Sequence, residues 1–583
     1  MKHIDIVVSM DHGKGHSRLT CNIISRWCKD DGEWYEDEYA ATIGNAICNK
    51  DSVEIFRNTF KDRLNCDLMK LKNATSFKIN REGGLSTVVL GGEENTNTIV
   101  SIPFEVFFAG DVLLYSMVLG KDGYSTWWCT HCQLFKSEWA VAGHPEGTEW
   151  SIEKLISHGN KVACGNFRQN DTRGRMGVRS CPEISAIPIE NYVLPILHIL
   201  IGKGNDILSN LTKELQAAAE TYSEKYMELE SDVSRLVQDI KNEKNKLARF
   251  HVVNGDYMRD INNLLKGRSL ESQLIRKESP ETLQKAEIDN EVLTREKQLY
   301  ENRIETLQQE LADKKKNFSK EAAAEENSKA FGQPLRAKID DILRKYGIDR
   351  AAQFGGDIEG NGCRKLMENS ISIVAEIKEY IKNQSTTTIK YATNEEIFEL
   401  CDYHAQLLLC VDGYISCMKV KRFHLTDEIV NKRKQYAKKV LEWERYLGMS
   451  ITTKSHLIED HSDQQQRFNG IGDLTEDFGE RNHQYEAKAD ALRARVRSFA
   501  KRQILNSQDE VRNKDPRIKI KAEEIKQKRT RETQISAHDI MSKKKAKRQQ
   551  HIDKREKALS YCVPTEPMKT MRQRRIEKQS GRI

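Results

Sequence analysis

Four residues far apart in a chain of 583 make up a complete tetrahedral donor set. Cys129 and Cys132 are the C-x2-C pair of WWCTHC, and His456 and His461 are an H-x4-H pair in KSHLIEDH. Two thiolates and two imidazoles are the ligands of a closed, structural Zn2+ site. Such a site would tie the segment after Asp111 to the segment before Glu480, and no second C-x2-C pair competes for it. The bland reading also stands, because i, i+5 is a poorer spacing than i, i+4 for two ligands on one helix face. A cysteine pair in a strand-turn also serves packing.

Carboxylates form the second group. Asp11 ends a strand-like run, HIDIVVSMD, and is followed by a glycine-bearing turn and a second run, RLTCNIIS. Asp111 ends NTIVSIPFEVFFAGD (97–111), ahead of an amphipathic LLYSMVLG. If the two strands are neighbours, both carboxylates converge on one point and can share divalent ions, as in-line phosphoryl transfer by a two-metal site requires. Aspartates that end strands are also ordinary turn residues.

The elements that would position these groups fall into four zones. Residues 1–203 read as α/β, with turn signals REGG, LGGEEN and GKDG. Residues 204–330 change to long helix: Leu208, Leu211, Leu215, Ala218 and Tyr222 step by three and four, and Tyr226 to Leu247 resume after a four-residue stutter. A second arm carries Leu283, Ala286, Leu293, Tyr300, Ile304, Leu307 and Leu311. Between the arms the heptad lapses and Gly255, Gly267 and Pro280 permit a turn. The pattern fits an antiparallel coiled-coil hairpin inserted into a globular domain, and a parallel dimerisation coil as well. Residues 331–505 are again globular and mainly helical, and 506–583 form a basic, partly disordered tail.

Composition narrows the class. Charged residues make up 31% and apolar residues 38%, the balance of a helix-rich soluble chain. The best apolar run, YVLPILHILIG (192–202), is too short to span a bilayer, so no membrane partner is expected. The thirteen cysteines are spread irregularly, which reads as reduced, intracellular thiols. The net charge is only +7, yet from Asp515 onward there are 21 Lys and Arg against 9 Asp and Glu. SKKKAKR (542–548) has the composition of a nuclear localisation signal or a phosphate-binding arm, and equally of a solvated extension.

Taken in order, Asp11, Asp111, the C-x2-C eighteen residues on, a helical stretch, H-x4-H, and a glutamate nineteen residues after His461 resemble the catalytic core of Transib-type cut-and-paste DNA transposases and of the V(D)J-recombinase catalytic subunit. LPILHILIGKGNDI (194–207), QFGGDIEGNGCRKLMEN (353–369) and GIGDLTEDFGERNHQYEAKADALRARVR (470–497) resemble segments of that family. The resemblance covers roughly 1–203 and 331–500.

What the resemblance implies is specific. The fold would be an α/β ribonuclease-H-like core interrupted by the long α-helical coiled-coil insertion, with an additional helical C-terminal part. Asp11, Asp111 and Glu480 would be the catalytic acids holding two Mg2+ ions, with Glu476 the runner-up for the third place. Cys129, Cys132, His456 and His461 would be the structural Zn2+ ligands. Arg364 and Lys365, matched with Asn361 and His198, would support the site or touch the DNA backbone. Arg493, Arg495, Arg497, Lys501 and Arg502 would add phosphate contacts. The expected protein is a nuclear, homodimeric DDE-type DNA transposase or recombinase; the alternative is a non-catalytic nuclear DNA-binding or coiled-coil adaptor on a degenerate scaffold.

Overall fold

A computed structural model of the chain describes residues 2–13, 16–30, 32–47, 52–74, 76–82, 85–90, 98–122, 128–167, 174–219, 224–267, 279–327, 332–351, 357–383, 392–478 and 534–571, with short pieces at 273, between 492 and 525, and between 573 and 577. It is a mixed α/β structure rich in helix. No helix among the described residues is long and apolar enough to cross a membrane.

One sheet holds β1 (Lys2–Gly13), β2 (His16–Cys28), β3 (Trp34–Ile47), β4 (Ser76–Glu82), β5 (Leu85–Leu90) and β6 (Thr98–Ala109). Helices α1 (Asp62–Ala74), α2 (Val112–Val118), α3 (Ile196–Ala219), α4 (Glu224–Lys266), α5 (Pro280–Asn327), α6 (Gly360–Glu368), α7 (Asn394–Met418), α8 (Asp427–Tyr446), α9 (Thr453–Asp460) and α10 (Gln534–Ser560) follow in chain order. They fall into two compact units. The first comprises Met1–Leu211, Asp340–Tyr380 and Phe398–Thr570; the second comprises Thr212–Ile339, Ile381–Ile397 and Met571–Ile583.

In the first unit the strand order is β3-β2-β1-β6-β4-β5. β1, β2 and β3 form an antiparallel meander, whereas β1 and β6 run parallel from Ile4–Phe104 to Ser9–Ala109. The two central strands are buried on both faces: Ile6, Val7 and Val8 on β1, and Phe107, Phe108 and Ala109 on β6. That explains why their sequences read as continuous apolar runs rather than alternating ones. On one face Val8, Met10 and Phe108 pack with Phe56, Phe60, Leu64 and Leu68, the apolar stripe of α1 and the turn before it. The opposite face carries Asp5, which is fully buried and bonded to Arg26 Nε at 2.7 Å and to Arg422. Burial alone would raise that carboxyl, but His3, Arg422 and Arg26 hold it below the ordinary carboxylate range. The Arg422 guanidinium lies 5.1 Å from the Phe107 ring centre, and Phe468 meets Phe107 edge-on at 5.1 Å. Residues beyond 419 therefore roof the sheet laid down by the first 109.

The tail is not all extension. His551 of α10 bonds Asp412 of α7 at 2.8 Å, and Glu556 pairs with Lys432 of α8 at 2.8 Å. SKKKAKR lies on this same helix, with residues 545–548 exposed.

In the second unit α4 and α5 pack antiparallel. Asp232 pairs with Lys314 at 2.5 Å, Leu236 and Ile240 bury against Leu307, Phe250 meets Tyr300 at 6.1 Å, and the Tyr257 hydroxyl donates to Asp289 at 2.7 Å. α4 runs straight through Gly255, because Phe250 and Ile261 are buried and outweigh the roughly 1 kcal/mol helix cost of one glycine. It stops at Gly267, whose φ of 58° only glycine adopts readily. Pro280 opens α5, where its missing N–H costs no helical bond.

Candidate metal centre

Cys129 and Cys132 sit in a narrow hairpin closed by the antiparallel bridge Trp128–Phe135 and by Cys129 N–H donating to Leu134 O at 3.2 Å. A second strand-like segment clamps it: Gln133 N donates to Thr148 O at 3.0 Å and Trp150 N to His131 O at 2.9 Å. Gly147 is required there, since a Cβ at that position would stand 2.7 Å from Cys132 Sγ. His131 N–H points at Cys129 Sγ from 3.4 Å, and the buried Lys121 ammonium donates to Cys129 O. Burial lowers that ammonium to about 8.

The histidines come from α9 and its end. Thr452 caps the helix, and a buried ion pair fixes it from below: Lys203 Nζ, on α3, bonds Glu444 Oε1 of α8 at 2.6 Å and Ser455 Oγ at 2.5 Å, while Ser455 Oγ donates to Glu444 Oε2 at 2.8 Å. Gln464 locks the far side, donating to Glu190 O and Tyr192 O at 2.9 and 2.7 Å and accepting from Leu194 N at 2.8 Å. The helix stops at Asp460, so His461 is its C-cap with ψ near 5° rather than a helical residue. The i, i+5 spacing therefore costs nothing, because only His456 is bound to the helix face.

The four side chains meet. Cys132 Sγ lies 3.3 Å from His456 Nε2, Cys129 Sγ lies 3.4 Å from His461 Nε2, and all four donor atoms fall within 4.8 Å of one another, each residue buried. Ligands at zinc's usual bond lengths span tetrahedron edges of about 3.5 Å between S and N, so the cluster can bind a metal such as zinc. Trp139 stacks on His456 with ring centres 5.1 Å apart, which fixes the plane of the imidazole. Burial would raise the Cys129 thiol, but Cys132 and the two imidazoles bring it well below the usual range. Cys132, sharing that proton, is raised. Burial would lower His456, but Cys129 and Asp460 push it up to about 9.

No protein-family model matches the chain, and no curated protein matches it. The geometry carries the rest.

Asp11 does not end its strand as expected: β1 continues to Gly13 because its pairing with β2 continues, with Asp11 opposite Arg18, whereas Asp111 follows the end of β6 at Ala109 and the parallel pairing of the two strands stops at Ser9–Ala109. Asp111 caps α2, its Oδ1 accepting from Leu114 N at 2.6 Å. Glu476 is buried, and its Oε1 accepts from His198 N at 3.1 Å and lies 3.2 Å from His198 Nδ1. Its Oε2 is sealed from solvent and has no hydrogen-bond partner among the described residues. Glu476 and Asp111 both act on one group: burial, then the Glu476 charge, then a smaller contribution from Asp111, hold the Tyr115 phenol well above its ordinary range. The side chain of Asp11 and the whole of Glu480 lie outside the described residues.

The basic candidates are dispersed. Arg364 Nη2 stands 3.3 Å from Asp477 Oδ2, and Lys365 Nζ donates to Gly347 O at 2.8 Å. Arg493 donates to Asn506 Oδ1 at 2.5 Å, Lys501 is exposed, and Arg502 is half-buried. Arg495 and Arg497 lie outside the described residues.

Sequence reasoning passed over Lys203, Glu444, Gln464, His144 and Asp460. Only Asp460 had a readable signal, four residues after His456 and so on the same helix face. The others reach the centre through tertiary packing alone.

Proposed function

We propose that the chain is a transposon-derived DNA transposase or recombinase of the DDE type, on a ribonuclease-H-like core interrupted by a coiled-coil insertion, with Asp11, Asp111 and Glu480 as its acids. The observation that supports this reading is the parallel pairing of neighbouring strands β1 and β6 up to Ser9–Ala109, each two residues before one of the two aspartates. The meander before them supplies the rigid base such a pair needs, and the C-terminal segment folds back over the same sheet.

A divalent ion would be held by Asp11, Glu480 and Asp111, the last half-buried at the start of α2, with buried Glu476 the runner-up for the third place. Bound there, magnesium would supply Lewis-acid chemistry for strand cleavage and transfer. Within the chain, Asp111 holds its orientation through the α2 cap. His198 holds Glu476, and the Cys2His2 centre, as a structural zinc site, pins the segment leading to Glu480 against the hairpin that follows Asp111. Lys and Arg side chains of 490–502, Arg364, Lys365 and the α10 run would meet DNA phosphates, and the paired α4–α5 arms would serve homodimerisation in a nuclear protein.

Glu480→Gln and Glu476→Gln, assayed for Mg2+-dependent nicking of supercoiled DNA, test the assignment. Loss of at least a hundredfold in Glu480→Gln with a smaller loss in Glu476→Gln is expected. The reverse order would move the third acid to Glu476, and full activity in both would remove the reading.

A further inference from the structure

Gly202, inside α3, makes room for a cation. A Cβ at that position would stand 1.8 Å from Lys454 Nζ and 2.6 Å from its Cε, so the lysine stem, reaching over from α9, lies across the bare backbone of α3. Glycine is a poor residue in a helix interior. Gly202 has no positive φ to call for it, and what its missing side chain admits is Lys454.

Helical periodicity places the crossing point. His198, Gly202 and Asp206 stand four residues apart on one face of α3, so Lys454 crosses about 6 Å, one turn, from the histidine that meets Glu476. Asp357 is tied to the same stretch: Ile358 N donates to Asn205 Oδ1 at 2.8 Å, and Asn205 Nδ2 donates to Ile358 O at 2.9 Å. Burial holds the Lys454 ammonium below its ordinary range, opposed by the charges of Asp206, Asp111 and Asp357, while Lys203 adds to the lowering.

None of these carboxylates bonds it. Among the described residues Lys454 makes no hydrogen bond and no ion pair, so a half-buried ammonium keeps three N–H donors for a ligand. The ligand must be an acceptor, and an anion can enter among three aspartates only together with cations that neutralise them. A phosphodiester brought in with divalent ions meets both conditions.

We infer that Lys454 is the phosphate-binding residue of the carboxylate site, its ammonium donating to a non-bridging oxygen of the DNA phosphodiester, and that Gly202 is the opening through which it reaches. The inference rests on the assignment of Asp111 to a divalent-ion site. The lysine gains a hydrogen bond and breaks no covalent bond.

Mg2+-dependent nicking of supercoiled DNA by the zinc-loaded full chain tests it with two variants. Lys454→Gln should lose about tenfold or more in rate, with the zinc content and thermal midpoint of the wild type. Gly202→Ala keeps the lysine and favours the helix, but its methyl group displaces the flexible end of Lys454, so it should lose rate to a similar degree with a midpoint no lower than wild type. The double variant should lose no more than Lys454→Gln alone, because both changes remove one contact. Wild-type rates in either single variant, or losses that multiply in the double, overturn the inference and leave the Asp111 assignment standing. Absence of nicking by the wild type brings down both. Should Lys454→Gln fail to fold, the rate of Gly202→Ala decides alone.

Discussion

Cys132 Sγ and His456 Nε2 stand 3.3 Å apart in space and 324 residues apart in sequence. That one contact closes the first unit on itself, joining a hairpin that follows the sheet to a helix near the end of the fold. Loop closure over so long a span is entropically costly, and a metal that binds only the folded arrangement returns its binding free energy as stability.

Cys132→Ser, or removal of metal by a strong chelator, should therefore destabilise the first unit by about 3 kcal/mol or more and lower its thermal midpoint by about 3 °C or more. Scanning calorimetry with and without added Zn2+ measures it; identical midpoints would mean that the cluster is packing alone.

The Lys203–Glu444 pair beneath α9 is buried on both sides, so Lys203→Met should cost about 3–5 kcal/mol by stranding the carboxylate. Lys203→Met with Glu444→Leu should recover most of that loss in urea unfolding. Metal affinity should follow stability in the single variant, since Ser455, which both groups hold, precedes His456.

Stability should also fall in mild acid. Burial depresses His404 to about 4, while in the unfolded chain it returns to about 6.5. Above 6.5 the imidazole is neutral in both states; below it the unfolded chain takes a proton that the folded chain refuses until about 4. The loss accumulates across that window and amounts to about 2 kcal/mol between pH 7 and pH 5. His404→Gln should flatten this part of the profile in urea titrations at the two pH values.

Much of the centre was legible because its chemistry is written in local spacings. C-x2-C and H-x4-H name their own partners, and the two aspartates close apolar runs long enough to be central strands. What escaped was set by packing. The β4–β5 hairpin on the edge of β6 falls in a segment, 76–90, where turn signals such as REGG mask the strands. The extent of α4 through Gly255 depends on Phe250 meeting Tyr300 on another helix. His144 reaches Asp460 from a loop with no motif around it, so no spacing could have disclosed that contact.

Asp111 offers the most direct test of the account, because its two roles can be separated. Asp111→Asn keeps a side-chain acceptor for Leu114 N and so keeps the α2 cap, yet removes the charge a divalent ion requires. The measurement is Mg2+-dependent nicking of supercoiled DNA by zinc-loaded wild type and Asp111→Asn of equal thermal stability. The account predicts nicking by the wild type and at least a hundredfold loss in the variant. Equal rates, or no Mg2+-dependent nicking by wild type, would contradict it.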